Sequence, residues 1–503
     1  MIVLSLAEIA AVVGGRLHRA EGSATVTGSV EFDTRELGAG GLYVALPGAR
    51  VDGHDLAAAA VEAGAVAVLA AREVDAPAIV VPPLAEGHAY ERAFVLASDT
   101  DGSGAAVLVA LAKLARHVVE RLAADGLTVV GVTGSSGKTS TKDLIAQLLE
   151  PLGPTVAPPG SFNNELGHPW TALRADAATR YLVLEMSARG IGHIASAATV
   201  TPPKIGVVLN VGSAHASEFG SREVTAKAKG ELVEALPADG AAILNFDDPL
   251  VAAMADRTKA RVVGVGESPN ARVRAVDVTL DEQARASFRL VTPDGEAEVR
   301  LPLFGEHHVG NALAAAAVAL ELGTSVADVA ARLSAVQRRS DRRMEVSTRA
   351  DGVVVLNDSY NANPESVRAG LKTLASMGRD RRTWAVLGEM AELGDESVRA
   401  HDEIGRLAVR LNISRLIVIG ERAAAMHHGA QHEGSWGEES VLVPDVEAAT
   451  ALLHDQLRAG DLVLVKASKS AALWRVADAV LAEAPLAGGQ QAPAQERSNG
   501  GDA

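Results

Sequence analysis

Short runs of β-branched residues alternate along this chain with stretches whose apolar positions recur at three- and four-residue spacing. The first pattern is that of buried strands and the second that of helices with one buried face. In residues 1–103, LYVAL (42–46) reads as a strand, a helix follows near 55–63, and AVAVLA (65–70) reads as another strand. Residues 104–124 form a long amphipathic helix. Strands at 129–132, 181–186, 205–210 and 242–245 then alternate with helices through residues 104–338. The alternation repeats in 339–483, with strands at 353–357, 383–388, 415–420, 441–444 and 461–466. Regular strand–helix alternation predicts parallel sheets covered by helices, so the fold class is α/β in three domains. Residues 484–503, rich in Pro, Gly and Gln, are expected to be a disordered tail.

Composition narrows the function. The 503 residues suffice for about three domains, and 48% are hydrophobic, enough for large cores. No cysteine is present, so disulfides and thiolate metal sites are excluded. No apolar run reaches spanning length, so membrane insertion is not expected. The N-terminus lacks a basic stretch, and Ser5-Leu6-Ala7-Glu8 reads as a helix capping box rather than a signal peptide, which fits a cytoplasmic protein. With a net charge of −16 and no basic stripe, nucleic acid is excluded as a partner. A polyanionic substrate has to be met by local groups and metal.

One stretch supplies such groups. Thr133-Gly134-Ser135-Ser136-Gly137-Lys138-Thr139, followed by Ser140, lies between a strand and a helix. Glycines let backbone N–H groups converge on an anion, and the helix N-terminus adds its partial positive charge. Lys138 can reach β/γ-phosphates, and Thr139 can place its hydroxyl on Mg²⁺. The first glycine of the strict G-x-x-x-x-G-K-[ST] pattern is absent, with Val132 in its place. An ordinary tight turn is the alternative.

Open parallel sheets bind ligands at the carboxyl ends of their strands. Glu185 ends one strand, as a metal ligand or as an ion-paired or capping carboxylate. His215 follows the strand ending near Asn210, as a ligand or a hydrogen-bonded loop histidine. Lys227 and Lys229 lie two apart on one helix, so at most one points inward. A buried neutral lysine can be carbamylated into an anionic oxygen ligand; two solvated lysines are the alternative. Asn163 and Asn164 suit a phosphate or substrate carbonyl, or plain turn chemistry. In NDSYNANPES (357–366), Asp358 can accept a ribose hydroxyl, and Asn361 and Asn363 can grip a peptide. Arg343 stands at a domain junction, where an arginine can swing onto a γ-phosphate when domains close, or is a surface arginine.

In order and spacing these motifs resemble the Mur ligases, the ATP-dependent amide ligases of peptidoglycan precursor synthesis, over nearly the whole chain to about residue 483. The resemblance implies an N-terminal UDP-sugar-binding α/β domain, a central phosphate-loop domain with a parallel sheet, and a C-terminal Rossmann-like domain. It rests on TGSSGKT, SFNNELGHP, Glu185, the N-x-x-x-x-H loop 210–215, AKAKGE (226–231) and GEHHVGNALAAAA. It implies Lys229 as the carbamylated position, Asn311 on the adenine side, Asp358 on the ribose and Arg343 as the junction arginine. FDTRELGAGG places Thr34 and Arg35 on the nucleotide sugar, with Asp52, Gly53 and His54 nearby. DSYNANPES, with Tyr360, Asn361 and Asn363, and LGEMAELG with His401 point to the branch that adds D-alanyl-D-alanine to UDP-N-acetylmuramoyl-tripeptide. The chain departs from the family pattern at His308, Ala467 and Lys469.

The implied chemistry is acyl activation by ATP with Mg²⁺, through an acyl phosphate that the dipeptide amine then attacks, in a monomer. The tripeptide-forming sister usually carries an Asp-Asn-Pro-Arg motif; here the corresponding stretch reads GEMAELGDES. Folate polyglutamylating enzymes lack the N-terminal domain. A phosphate-loop ATPase acting as a switch module is the remaining alternative.

Overall fold

The computed structural model describes residues 1–48, 50–84, 96, 99, 101–212, 219–434 and 439–482. His215 and the expected tail 484–503 lie outside the described residues. Two compact units divide the chain. The first holds Met1–Asp281, Arg285–Asp341 and Glu392–Gly394, and the second Glu282–Ala284, Arg342–Ala391 and the chain from Asp395.

In the first unit, a five-stranded sheet runs in the order Arg16–His18, Ala78–Val80, Ala65–Ala70, Gly41–Val44, Val30–Glu31. All its neighbours are parallel except the first pair. The helix Ser103–Ala124 explains why this sheet and the next share one unit. It turns Leu108, Leu111, Ala115, Val118 and Leu122 into a core that also contains Leu42, Leu69 and Ile79 of the small sheet and Val129 and Leu182 of the large one. At the N-terminus, Ser5 Oγ accepts from the Glu8 N–H at 3.2 Å. Only half of the expected capping box forms, because the Glu8 carboxylate accepts instead from Arg121 at 2.7 Å.

The large sheet has nine strands. Its parallel part runs Val273–Leu280, Arg261–Gly266, Ala241–Asn245, Ile205–Val208, Thr128–Thr133, Tyr181–Glu185, Thr155–Val156. Strand Thr128–Thr133 is followed in sequence by neighbours on both of its sides. Connections therefore leave in opposite directions and open a crevice at its carboxyl end. Val130 and Val132 are fully buried, as expected of a strand covered on both faces. Two antiparallel strands, Arg285–Thr292 and Gly295–Phe304, extend the sheet beyond Val273–Leu280. Sequence reading missed this meander, although RASFRLVT alternates and a Thr-Pro-Asp-Gly turn signal follows.

The second unit carries a six-stranded sheet ordered Glu345–Thr348, Val354–Asn357, Leu462–Lys466, Thr383–Leu387, Arg415–Ile419, Ser440–Val443. Its five later strands are parallel and match the five expected runs to within a residue or two. The leading strand is antiparallel.

Candidate active site

The phosphate loop closes strand Thr128–Thr133 and opens helix Lys138–Leu149. Gly137 caps the helix at φ +81°, a conformation that side chains resist. A Cβ there would also come within 2.6 Å of Asn311 Oδ1, so this glycine lets Asn311 press on the loop. Asn210 clamps the loop from the next strand. Its Oδ1 accepts from the Ser136 N–H at 2.9 Å, its Nδ2 donates to Ser136 O at 3.2 Å, and its carbonyl accepts from the Ser135 N–H at 3.1 Å. Ser135 Oγ accepts in turn from the Gly212 N–H. Lys138 folds back to donate to Gly134 O at 2.6 Å. Thr139 is buried on the first helical turn, and Ser140 beside it is half-buried.

Glu185 ends the adjacent strand, paired in register with Val132. It is fully buried. Its Oε2 accepts from Ser161 Oγ at 3.3 Å and Asn163 Nδ2 at 3.2 Å. Its Oε1 has no partner among the described residues. A buried carboxylate oxygen left without a donor is costly, which marks it for a ligand. Lys229 points inward from helix Arg222–Glu234 and is buried, while Lys227 faces solvent, as the two-residue spacing requires. Among the described residues Lys229 has no hydrogen-bond or ion-pair partner. Burial pushes its ammonium well below the ordinary lysine range, and the charge of Lys138 pushes the same way. A buried amine whose charge is disfavoured and an unpartnered carboxylate oxygen are donors suited to a hard cation once the amine is carbamylated. No group of three or more His, Asp or Glu able to hold a metal is assembled among the described residues.

Other expected residues are held in local structure. Asn163 Nδ2 reaches Glu185 and also Ser161 Oγ at 2.8 Å, whereas Asn164 Oδ1 accepts the N–H of Gly167, the first residue of helix Gly167–Ala172, at 2.8 Å. In the N-terminal part, half-buried Thr34 precedes Arg35, whose exposed guanidinium binds Asp33 at 2.5 Å. The Arg35 side chain holds the Asp33 carboxyl down to about 2. His54 takes the Ala71 N–H on Nε2 at 3.1 Å, so Nδ1 carries the proton given to Asp52 at 2.7 Å. In the second unit, Asp358 accepts from the Met344 N–H and pairs with Lys466 at 2.5 Å. Asn361 gives its carbonyl to Lys466, and Asn363 caps helix Pro364–Met377 in a full capping box. Arg343 lies over the Tyr360 ring at 4.2 Å, and Lys469 lies 5.7 Å from the same ring. His401 is buried and neutral; it receives the Met390 N–H and donates to Ser397 O, anchoring the GEMAELG loop. His308 is buried against Asn311, and burial keeps its ring neutral. Sequence reasoning passed over Ser161, for which no spacing rule existed, and Lys142, which reads as an ordinary helix lysine.

A doubly wound sheet whose switch-point strand ends in a phosphate loop, flanked by a buried carboxylate and a buried lysine, defines a class: a nucleotide-dependent group-transfer enzyme. Family models narrow the class. The Mur ligase family catalytic domain matches residues 27–99, the Mur ligase middle domain 132–319, and the Mur ligase glutamate ligase domain 342–469. A UDP-N-acetylmuramoyl-tripeptide–D-alanyl-D-alanine ligase of Mycobacterium tuberculosis is 58% identical over 96% of this chain and 98% of its own length. The protein of that name from Escherichia coli is 33% identical over 95% and 99%. Among solved structures, MurF from Acinetobacter baumannii superposes with a TM-score of 0.82 at 28% identity, covering 96% of this chain and 99% of the other. MurF from Thermotoga maritima, solved in complex with ADP, gives 0.74 at 28% identity over 90% and 97%. The chain belongs to the Mur ligase family and is a ligase. No helix among the described residues is long and apolar enough to cross a membrane.

Proposed function

We propose that this ligase joins D-alanyl-D-alanine to UDP-N-acetylmuramoyl-tripeptide at the expense of ATP, acting in the cytoplasm as a monomer. The names of its relatives support the substrates, and the carrying observation is Glu185, buried beside the phosphate loop with one oxygen unpaired. The loop N–H groups from Gly134 to Ser140, with Lys138 released from the Gly134 carbonyl, would cradle the β/γ-phosphates. Asn311 would border the nucleotide, and the resemblance gives it Arg343 and Asp358 as well. Thr34 and Arg35 are assigned to the nucleotide sugar, Asn163 and Asn164 to the tripeptide end, and Tyr360, Asn361 and Asn363 to the dipeptide.

The tripeptide's terminal carboxylate attacks the γ-phosphorus, forming a C–O–P bond and releasing ADP. The dipeptide amine then attacks the acyl carbon, the C–O bond breaks, phosphate leaves with the electron pair, and the amine proton passes to solvent. Two anions must meet in the first step, so their repulsion is the barrier that the site has to remove. Two Mg²⁺ would supply the neutralising charge, one held by Thr139 and a second by Glu185, His215 and carbamylated Lys229. Lys138 and Arg343 are the cations of the chain assigned to the transferring phosphoryl group. Mass spectrometry of the product from UDP-linked tripeptide, ATP and D-alanyl-D-alanine tests the reading. The expected product is the tripeptide nucleotide plus the dipeptide less one water. Phosphate release unaffected by the dipeptide, with no such product, would refute it.

A further inference from the structure

Helix Lys138–Leu149 carries a second lysine, Lys142, whose side chain is 1% exposed. A buried ammonium is tolerated only when its donors are matched and its charge is met. Both conditions hold. Nζ donates to Pro158 O at 2.6 Å and Gly160 O at 3.1 Å and pairs with Asp143 Oδ1 at 2.6 Å, so its three donors have three acceptors. Asp143 is fixed from its other oxygen by Ser340 Oγ at 2.6 Å.

The two carbonyls belong to the segment Pro158-Pro159-Gly160, which immediately precedes the residues that touch Glu185. Gly160 turns with φ +59°. One residue on, Ser161 Oγ donates to Glu185 Oε2, and Asn163 Nδ2 reaches both Ser161 Oγ and the same carboxylate oxygen. Those contacts occupy Oε2 and leave Oε1 without a partner. Lys142 therefore ties the helix that bears Thr139 to the loop that orients Glu185. Thr139 and Lys142, three residues apart, share one helical face.

We propose that Lys142 is a positioning residue: through the Pro158 and Gly160 carbonyls it sets Ser161 and Asn163 against Glu185, and so fixes the direction of the carboxylate's free oxygen relative to the phosphate loop. The inference rests on the assignment of Glu185 as a metal ligand. Outer partners of metal-binding carboxylates typically change affinity or activity by about 10- to 100-fold when removed.

The test is Mn²⁺ titration followed by electron paramagnetic resonance with ADP present, alongside turnover. Glu185→Gln first defines the Mn²⁺ equivalent that depends on this carboxylate; if it leaves titration and turnover unchanged, the metal assignment itself falls. Given that equivalent, Lys142→Met is expected to weaken it by about tenfold and lower kcat by about the same factor, with KM for ATP within about threefold. Because the chain has no cysteine, Lys142→Cys offers a single thiol. Its alkylation with 2-bromoethylamine in denaturant, followed by refolding, rebuilds an ammonium of lysine length and should restore Mn²⁺ binding. Gly160→Ala reaches the same loop without touching the lysine. Its Cβ would meet nothing within 4 Å, so the only penalty is the left-handed backbone. That variant should weaken the same equivalent by about threefold and keeps the proposal testable if Lys142→Met does not fold. Unaltered Mn²⁺ binding in Gly160→Ala, or in folded Lys142→Met, would overturn the positioning role while leaving the metal assignment standing.

Discussion

Each unit places a carboxylate at the carboxyl end of a parallel strand, and the two are treated oppositely. Asp358, just past strand Val354–Asn357, meets the ammonium of Lys466 at 2.5 Å and the N–H of Met344 at 3.1 Å. Glu185 is more deeply buried, receives only neutral donors on one oxygen, and has an unpartnered second oxygen. The lysines repeat the contrast. Lys466 and Lys142 are buried with matched donors, whereas Lys229 is buried without a partner among the described residues. An interior ion pair whose partners are complete becomes costly when one partner is removed, whereas a buried polar group whose partners are missing already costs stability and is retained for what it binds.

The sharpest way to break this comparison is to neutralise each charge. Glu185→Gln should lower kcat by at least about 100-fold. Its melting temperature, measured with EDTA present, should stay level or rise, because an uncompensated buried charge has gone. Turnover near the wild-type value would end the distinction at once. The same kind of change in the other unit should do the reverse. Lys466→Met strands the mostly buried Asp358 carboxylate, and urea denaturation should report a loss of about 3 kcal/mol. A stability loss from Glu185→Gln as large as that from Lys466→Met would show that the Glu185 carboxylate is held for the fold, as the Lys466 partner is.

Lys229 comes next in size. Lys229→Ala should cost about 30-fold in turnover, a little over 2 kcal/mol of barrier. If the wild-type residue is carbamylated, acetate or another short carboxylate should recover part of the loss, and wild-type activity should depend on bicarbonate. Neither response in an otherwise folded protein would remove carbamylation from the mechanism.

Sequence pattern reached the strands, the phosphate loop and Glu185 because each is encoded locally. Glycine spacing announces the loop, and a carboxylate ending a hydrophobic run announces the strand end. The two-residue spacing of Lys227 and Lys229 even required one to face solvent, and Lys227 does. What stayed hidden depends on long-range placement. Asn210 clamps Ser136 from 74 residues away, and Ser161 reaches Glu185 across 24. Asn164 and Asn363 show the converse limit. Their side chains are engaged locally, Asn164 Oδ1 accepting the Gly167 N–H and Asn363 capping helix Pro364–Met377, which the reading of them as ligand contacts did not anticipate. The antiparallel meander 285–304 was legible in its alternation but was masked by the expectation of a wholly parallel sheet.

His168 tests the comparison with a buried base that is partnered on Nε2 alone, its Nδ1 having no partner among the described residues. Its Nε2 lies 2.7 Å from Thr201 Oγ1, in the helix that begins three residues beyond Asn164. Burial pushes its ring down to about 4 from an ordinary value near 6.5. The unfolded chain therefore takes up this proton below about pH 6.5, whereas the folded protein refuses it until about pH 4. The neutral ring's full contribution to stability is present above the unfolded value and drains away as pH falls between the two. Between pH 7.5 and pH 5 the loss from this residue should be about 2 kcal/mol, since each unit of displacement is worth about 1.4. His308 and His401, also held neutral by burial, add loss in the same direction. The diagnostic quantity is thus the difference between wild type and His168→Gln in denaturation at the two pH values. That variant should flatten the slope by about 2 kcal/mol and leave kcat at pH 7.5 within about threefold, as expected of an interior base that serves packing. Unchanged kcat would show that a missing hydrogen-bond partner does not by itself mark function, whereas a large kcat loss at pH 7.5 in folded protein would place His168 with Glu185 among the groups retained for chemistry.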